Sequence, residues 1–391
     1  MATDLDSLSR LPVILLTATF AALLVDAASP QQTIDLSGDQ QVLTVRPAPA
    51  RRLDVVRGGG YFPVIAQLRD GSIAAVVRGG GAHVGVAGRL DLVLSRDDGE
   101  TWSRPATIVD SPWDDRNPAF GVADDGSLVV AYVVFRDYKP DGGLASKRRD
   151  GIHVVRSRDS GRTWDEGPLL DLFPSGLVSP FGKMLNLDGG VLMMTFYAGD
   201  DFFHVSPPGR AAVQPGMKWY PFAYVIRSRD GGRTWGDMSL IAPGFDEVAL
   251  LRMRDGRIAA ALRSHDRGDT SISFSHDQGR SWSHPKRVAS DREHPADLVE
   301  LADGRLVLIH GERNRPMGIQ AMISHDGGST WEHESKLMLS WLAPNSDCGY
   351  PTSLVRRDKR ILTLYYQVDD LANTPESASC KAVIWDVPKQ W

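Results

Sequence analysis

Short apolar runs alternate with polar residues along nearly the whole chain, and six times a pair of such runs flanks a tight polar turn. The six are VIAQLRDGSIAAVV, FGVADDGSLVVAYV, MLNLDGGVLMMTFY, ALLRMRDGRIAAAL, LVELADGRLVLIH and SLVRRDKRILTLYY. Asp-Gly between alternating apolar runs marks a β-hairpin, because glycine accepts the left-handed backbone that a two-residue turn demands. The sixth hairpin carries Lys359 where the others carry Gly71, Gly126, Gly189, Gly256 and Gly304. No stretch holds a helical period of apolar positions over several turns, so the pattern predicts an all-β chain.

A second repeat follows the first. SRDDGETW at 95–102, SRDSGRTW at 157–164, SRDGGRTW at 228–235, SHDQGRSW at 275–282 and SHDGGSTW at 324–331 share one turn motif, the Asp box. Its Asp is placed to accept backbone N–H groups, its Gly to turn left-handed, and its Trp to pack between strands. Five hairpins are followed by such a box, and the sixth by the strand Lys381 to Val387. Six hairpins predict six sheets. Radial repetition makes these a six-bladed β-propeller with blades of four antiparallel strands, a single domain over 42–391. The segment around Val42 to Val56 is expected to add a strand to the last blade and close the ring.

Length and composition fit that picture. A chain of 391 residues would ordinarily suggest two or three domains, but repeat folds grow by adding units. The net charge of −5 argues against non-specific nucleic-acid binding, which calls for a basic excess. The GGG runs at 58–60 and 79–81 open no βαβ unit, and neither the two cysteines nor any His pair has metal spacing, so no cofactor or metal is expected. Cys348 and Cys380 are read either as a disulfide closing the last sheet or as two buried thiols. Leu11 to Val25 is apolar but shorter than the roughly 20 residues of a membrane span. With Arg10 before it and Val25-Asp26-Ala27 after it, the run predicts a signal peptide over 1–28 and a secreted or periplasmic protein without stable membrane insertion.

The hairpin turns also locate a candidate site. Nine residues before each turn position stand Phe62, Asn117, Pro180, Glu247, Pro295 and Tyr350; seven residues after it stand Arg78, Val133, Phe196, Arg263, Gly311 and Tyr366. A hairpin returns its second strand to the level where the first began, so both sets are expected on one rim of the propeller. That rim gathers a carboxylate, phenols and guanidiniums, and nearby loops add His83, Arg116, Arg313 and Arg315. Arginine forks suit a carboxylate, and a phenol becomes nucleophilic when a neighbouring carboxylate takes its proton. The basic run Lys147-Arg148-Arg149 reads as a solvated loop, and the segment from Gly199 to Tyr220 as a possible overhang of the pocket.

With its Asp boxes, EVALLRMRDGRIAAALRS, GERNRPMGIQAMISHDGGSTW and GYPTSLVRRDKRILTLYYQ, the chain resembles the sialidase (neuraminidase) superfamily after about residue 50. The resemblance implies a sialidase-like propeller in which Tyr350 is the nucleophile, Glu247 its base and Arg263 one arginine of a carboxylate-binding triad. It implies Arg315 as another triad arginine, with Arg313 second. The family's N-terminal Arg-Ile-Pro reads Tyr61-Phe62-Pro63 here, so the first triad arginine is missing, and Arg78 or Arg57 is the expected substitute. The loop that carries the family's acid/base Asp is RGGGAHVGVAGRLDLV, where His83 is the candidate and Asp91 a weaker one. The function implied is an exo-acting glycoside hydrolase on a terminal acidic, sialic-acid-like sugar of a glycan. A polysaccharide lyase acting at a uronic acid through His83, Tyr350 and arginine is the alternative, and a non-catalytic sugar-binding propeller a third.

Overall fold

The computed structural model describes residues 32–35, 42–146, 149–172, 177–199, 221–370, 372, 374–389 and 391. The predicted signal peptide, Lys147-Arg148 and the segment 200–220 lie outside the described residues. The regular elements of the described residues are strands, apart from one short 3-10 turn at Pro375–Ser377. Among them no helix is long and apolar enough to cross a membrane.

Each predicted hairpin forms, and its turn residue takes the left-handed conformation. Gly71, Gly126, Gly189, Gly256 and Gly304 have φ between 73° and 89°, and Lys359 adopts 70° without being glycine. The sheets are arranged like the blades of a propeller. Four have four strands each, beginning at Tyr61–Gln67, Phe245–Arg252, Glu293–Glu300 and Cys348–Val355. The remaining hairpins, which begin at Asp114–Val122 and Val178–Leu187, belong to a single eight-stranded sheet. This differs from the six separate sheets expected, and the join is small. Gly182 and Lys183 pair in parallel with Ala119 and Phe120, linking two antiparallel quartets by their first strands. Glycine permits the approach, since a Cβ on Gly121 would lie 2.5 Å from Met184 Cβ.

The ring is closed by Ala50–Arg57, which pairs antiparallel with Ala378–Trp385. Val42–Val45 does not join that sheet; it pairs with Gln32–Asp35 in a two-stranded sheet. Apolar clusters fill the junctions between neighbouring sheets. Val77 of the first sheet packs with Leu362, Leu364 and Ile384 of the last, and Trp385 and Tyr365 pack with Val307 and Ile309 of the sheet before it. Cys348 and Cys380 are buried and free, so no disulfide staples the last sheet.

The Asp boxes are local hydrogen-bonded turns. In the second, Asp159 Oδ1 accepts the amides of Arg162 and Thr163 at 3.0 and 2.9 Å, Gly161 donates to Ser157 Oγ at 2.8 Å, and Trp164 Nε1 donates to the Gly161 carbonyl at 3.1 Å. The Thr163 hydroxyl, then its amide, hold the Asp159 carboxyl down at about 2.

One feature of the innermost hairpins positions the site. All six have a register shift near the start of the first strand, at Tyr61/Val64, Arg116/Ala119, Phe181/Leu185, Phe245/Val248, Glu293/Ala296 and Gly349/Thr352. Four of these bulges contain an X-Pro pair: Phe62-Pro63, Asn117-Pro118, His294-Pro295 and Tyr350-Pro351. Proline has no amide hydrogen to give the ladder, so the pairing must skip it and the strand bulges.

Candidate active site

The bulges turn selected side chains toward the axis of the ring. Phe62, Asn117 and Tyr350 sit at φ 51°, 54° and 53°, a left-handed backbone uncommon for non-glycine residues. Together with Phe181, Lys183, Glu247 and Asp297 they line a narrow axial cavity of about 20 Å³, large enough for a water molecule. Lys183 Nζ meets Asp297 Oδ2 at 2.8 Å and the Ser353 carbonyl at 2.9 Å, closing the axis behind the site.

Tyr350 and Glu247 meet at this cavity. The Tyr350 hydroxyl donates to Glu247 Oε1 at 2.6 Å, and Arg263 Nη1 donates to Glu247 Oε2. Arg263 stands on the strand opposite the Asp246-Glu247 bulge, so its guanidinium reaches both carboxylates: Nε lies 3.4 Å from Asp246 Oδ1, and Nη1 lies 3.4 Å from Tyr350 Oη. Burial opposes the Arg263 charge, but Asp246 and Glu247 outweigh it and hold its pKa well above the ordinary value. Burial, then the charge of Glu247, pushes the Tyr350 phenol well up. The phenol therefore keeps its proton at neutral pH.

Arg313 and Arg315 separate clearly. The guanidinium of half-buried Arg313 lies 5.9 Å from the Tyr350 ring, its buried Nε has no hydrogen-bond partner, and no carboxylate among the described residues forms an ion pair with it. Arg315 is exposed and makes no contact with Tyr350 or Glu247. Arg313 rather than Arg315 thus stands beside Tyr350, because the strand ends at Glu312 and residue 315 lies in the exposed turn beyond it. His294 is buried beside these groups. Burial, then the charge of Arg313, pushes its pKa down to about 2, so it is a neutral imidazole.

His83 reaches the same rim from its loop. Its Nδ1 lies 2.8 and 2.9 Å from the two oxygens of Asp347, and Tyr366 donates its hydroxyl to Asp347 Oδ1 at 2.6 Å. The rings of Tyr61, Phe62 and His83 lie 5.3 to 5.8 Å apart by centroid, and Phe62 is 4.9 Å from Tyr350. Burial works to raise the Asp347 pKa, but the hydrogen bond and charge of His83, then the Tyr366 hydroxyl, hold it below the usual carboxylate value. Asp347 was not singled out from the sequence, although it stands three residues before Tyr350.

The expected substitutes for the missing first arginine are engaged elsewhere. Arg78 is fully buried, with Nε and Nη2 at 2.9 and 2.6 Å from Asp114 Oδ1 and Nη1 at 2.8 Å from the Ala82 carbonyl. Arg57 is exposed and paired with Asp54 at 2.6 Å. Arg116 Nη1 lies 3.1 Å from Asp114 Oδ2, and its guanidinium sits 5.6 Å from the Phe62 ring. Tyr61 is buried and pairs with Arg78 across the hairpin. Asp91 is held by Arg89 and by the Thr107 hydroxyl at 2.7 Å, away from Tyr350. Arg149, read as part of a solvated loop, is buried against the Phe135 ring at 4.5 Å. Among the described residues no cluster of His, Cys, Asp and Glu is arranged to hold a metal.

Residues 114–362 match the BNR repeat-like domain. The chain is 26% identical over 238 residues to a sialidase of Micromonospora viridifaciens, a match spanning 55% of this chain and 35% of that protein. It therefore spans about a third of that relative's length. Among solved structures, a protein of unknown function from Dyadobacter fermentans superposes with a TM-score of 0.68 at 20% identity, over 87% of this chain and 99% of that one. The NanB sialidase of Streptococcus pneumoniae superposes with a TM-score of 0.60 at 12% identity, over 93% and 71% respectively. These likenesses show a shared fold. The extent of the domain match and the repeated Asp boxes together place the chain: it belongs to the BNR repeat-like family of the sialidase superfamily.

Proposed function

We propose that the protein is a retaining exo-glycosidase that removes a terminal acidic sugar from a glycan, on a scaffold whose eight-stranded sheet counts as two fused blades of six. The observation that carries this reading is the Tyr350 hydroxyl at 2.6 Å from a Glu247 carboxylate whose other oxygen is held by Arg263. In the first step Glu247 takes the phenol proton, Tyr350 Oη bonds to the anomeric carbon, and the glycosidic C–O bond breaks. His83 gives its Nε2 proton to the leaving oxygen, while Asp347 at Nδ1 fixes the ring. Water then reverses these roles and frees the sugar. Arg313, with no carboxylate of its own, and Arg263 receive the sugar carboxylate.

A second reading draws on the His83–Asp347 pair and on Tyr61 in place of the first arginine. There His83 and Tyr350 serve as base and acid in β-elimination at a uronic acid whose carboxylate the arginines neutralise. A panel of acidic glycans monitored for both reducing sugar and ultraviolet absorbance separates the two. Hydrolysis gives reducing sugar alone, whereas elimination also creates an absorbing unsaturated product. Absence of both signals across the panel, or unchanged turnover in Tyr350→Phe, refutes catalysis at this site and leaves a sugar-binding propeller.

A further inference from the structure

We propose that Arg149 and Arg116 form a second anion-binding subsite, bordering the axial site, that takes an oxyanion carried by the substrate. The inference rests on the acidic-sugar reading and adds a second negative group to the sugar.

Charge balance at the boundary of the first two hairpin sheets carries it. Arg78, Arg116 and Arg149 are all buried there, at 0%, 6% and 7% exposure. Among the described residues Asp114 is the one carboxylate that pairs with them, and it serves Arg78 and Arg116 while also accepting the Tyr138 hydroxyl. The neighbouring Asp115 turns away, to the Ser111 amide at 2.7 Å and hydroxyl at 2.9 Å. Arg149 has no ion pair among the described residues. Tyr197 is its polar neighbour, and its buried Nε has no hydrogen-bond partner. The Arg149 and Arg116 guanidiniums lie 4.5 and 4.8 Å from the centroid of the same Phe135 ring. Two like charges gathered out of water, with so little compensation among the described residues, are costly unless a further anion joins them.

The pair also borders the axial site. Asn117, which lines the axial cavity, donates to Ser179 Oγ at 2.9 Å, and Ser179 and Arg149 both neighbour the buried Tyr197 hydroxyl. On the other side, Arg116 lies 5.6 Å from the Phe62 ring, which is 4.9 Å from the Tyr350 ring. On this proposal a substituent on the sugar held at Tyr350 reaches Arg116 and Arg149 next to Phe62. A planar guanidinium pair suits a sulfate ester or a second carboxylate.

The test titrates the full-length protein with inorganic sulfate and, separately, with acetate, and reads the dissociation constant from the rise in thermal midpoint. It is run on the wild type, Arg149→Gln, Arg263→Gln and Tyr350→Phe. The proposal expects saturable binding that weakens by about tenfold or more in Arg149→Gln, as loss of a charge-assisted contact implies. Binding should persist in Arg263→Gln and Tyr350→Phe. Tighter sulfate points to a sulfate ester and tighter acetate to a carboxylate. Should Arg149→Gln fail to fold, Arg149→Lys keeps the charge without the fork and must still weaken binding. No saturable binding of either ion, equal affinity in the Arg149 variant, or loss only in Arg263→Gln overturns the proposal. Because none of these readouts requires turnover, failure of the glycosidase reading would leave the subsite result standing.

Discussion

Separate replacement of Arg313 and Arg315 by Gln tests the geometry of the site against the order suggested by sequence. The Arg313 guanidinium lies 5.9 Å from the Tyr350 ring and forms no ion pair among the described residues, whereas Arg315 is exposed. Under the proposed function Arg313 donates to the sugar carboxylate. A hydrogen bond to a charged group contributes about 1.5–3 kcal/mol, which at about 1.4 kcal/mol per decade is roughly 10- to 150-fold in kcat/KM. Its positive charge also lowers the Tyr350 pKa, so removing it makes the phenol harder to ionise and drives the loss toward the upper end. Arg315→Gln is a surface change, expected within about 0.5 kcal/mol, or roughly twofold. Folding supplies a control: Arg313→Gln strands no carboxylate partner, so its melting temperature should stay near that of the wild type. The assay is initial-rate hydrolysis of a fluorogenic acidic-sugar glycoside, with melting curves for each variant. A larger loss in Arg315→Gln, or a loss of twofold or less in a folded Arg313→Gln, refutes the assignment.

Three further outcomes are expected. Asp347→Asn keeps the hydrogen bond from Tyr366 but removes the charge facing His83 Nδ1, so kcat should fall by roughly 10- to 100-fold with little change in KM, as for loss of an orienting carboxylate; equal losses in kcat and in affinity for a substrate analogue would show a binding role instead. Gly121→Ala puts a Cβ 2.5 Å from Met184 Cβ at the parallel join, and overpacking of this kind costs about 1–3 kcal/mol in denaturant unfolding; an unchanged midpoint would mean that the strands separate freely. The Asp159 carboxyl is held at about 2 in the folded protein, below its ordinary 3.8, so its stabilisation is present above the unfolded value and is lost as pH falls through about 2. Asp159→Asn should therefore flatten the acid limb of the urea midpoint below about pH 4, and an identical limb would contradict it.

What could be read from the sequence was what lies within a dozen residues of chain. Hairpin turns and Asp boxes are local hydrogen-bonded units, so their residues announce them, and even Lys359 adopts the left-handed turn that its five glycine counterparts predict. Glu247, Arg263 and Tyr350 were legible because equal steps from equivalent turns end at equivalent places. The partners of the site were not. Asp347 meets His83 across 264 residues, Asp114 meets Arg78 across 36, and the packing of neighbouring sheets that sets such pairs leaves no period in the chain. Arg149 was misread for a related reason, since a run of basic residues usually marks a solvated face whereas one member here turns inward onto Phe135.

The bulges explain how a repeated scaffold carries unrepeated chemistry. Every innermost hairpin gains at least one extra residue at the same level, so six side chains are freed from the ladder without disturbing the core strands beyond it. At Phe62, Asn117 and Tyr350 the price is a left-handed backbone, about 1–3 kcal/mol at each. Such strain persists only where surrounding packing over-determines it, and the apolar junctions between sheets supply that packing. A bulge residue can therefore change identity without loss of the fold, which is how the aromatic Phe62 can stand beside Tyr350 at a level where other hairpins carry Asn117 and Glu247. Under the proposed function, the missing first arginine changes specificity on an intact scaffold. If Arg116 and Arg149 form the proposed anion subsite, they place positive charge near Phe62 from the second sheet, and the substrate's second negative group should be sought there.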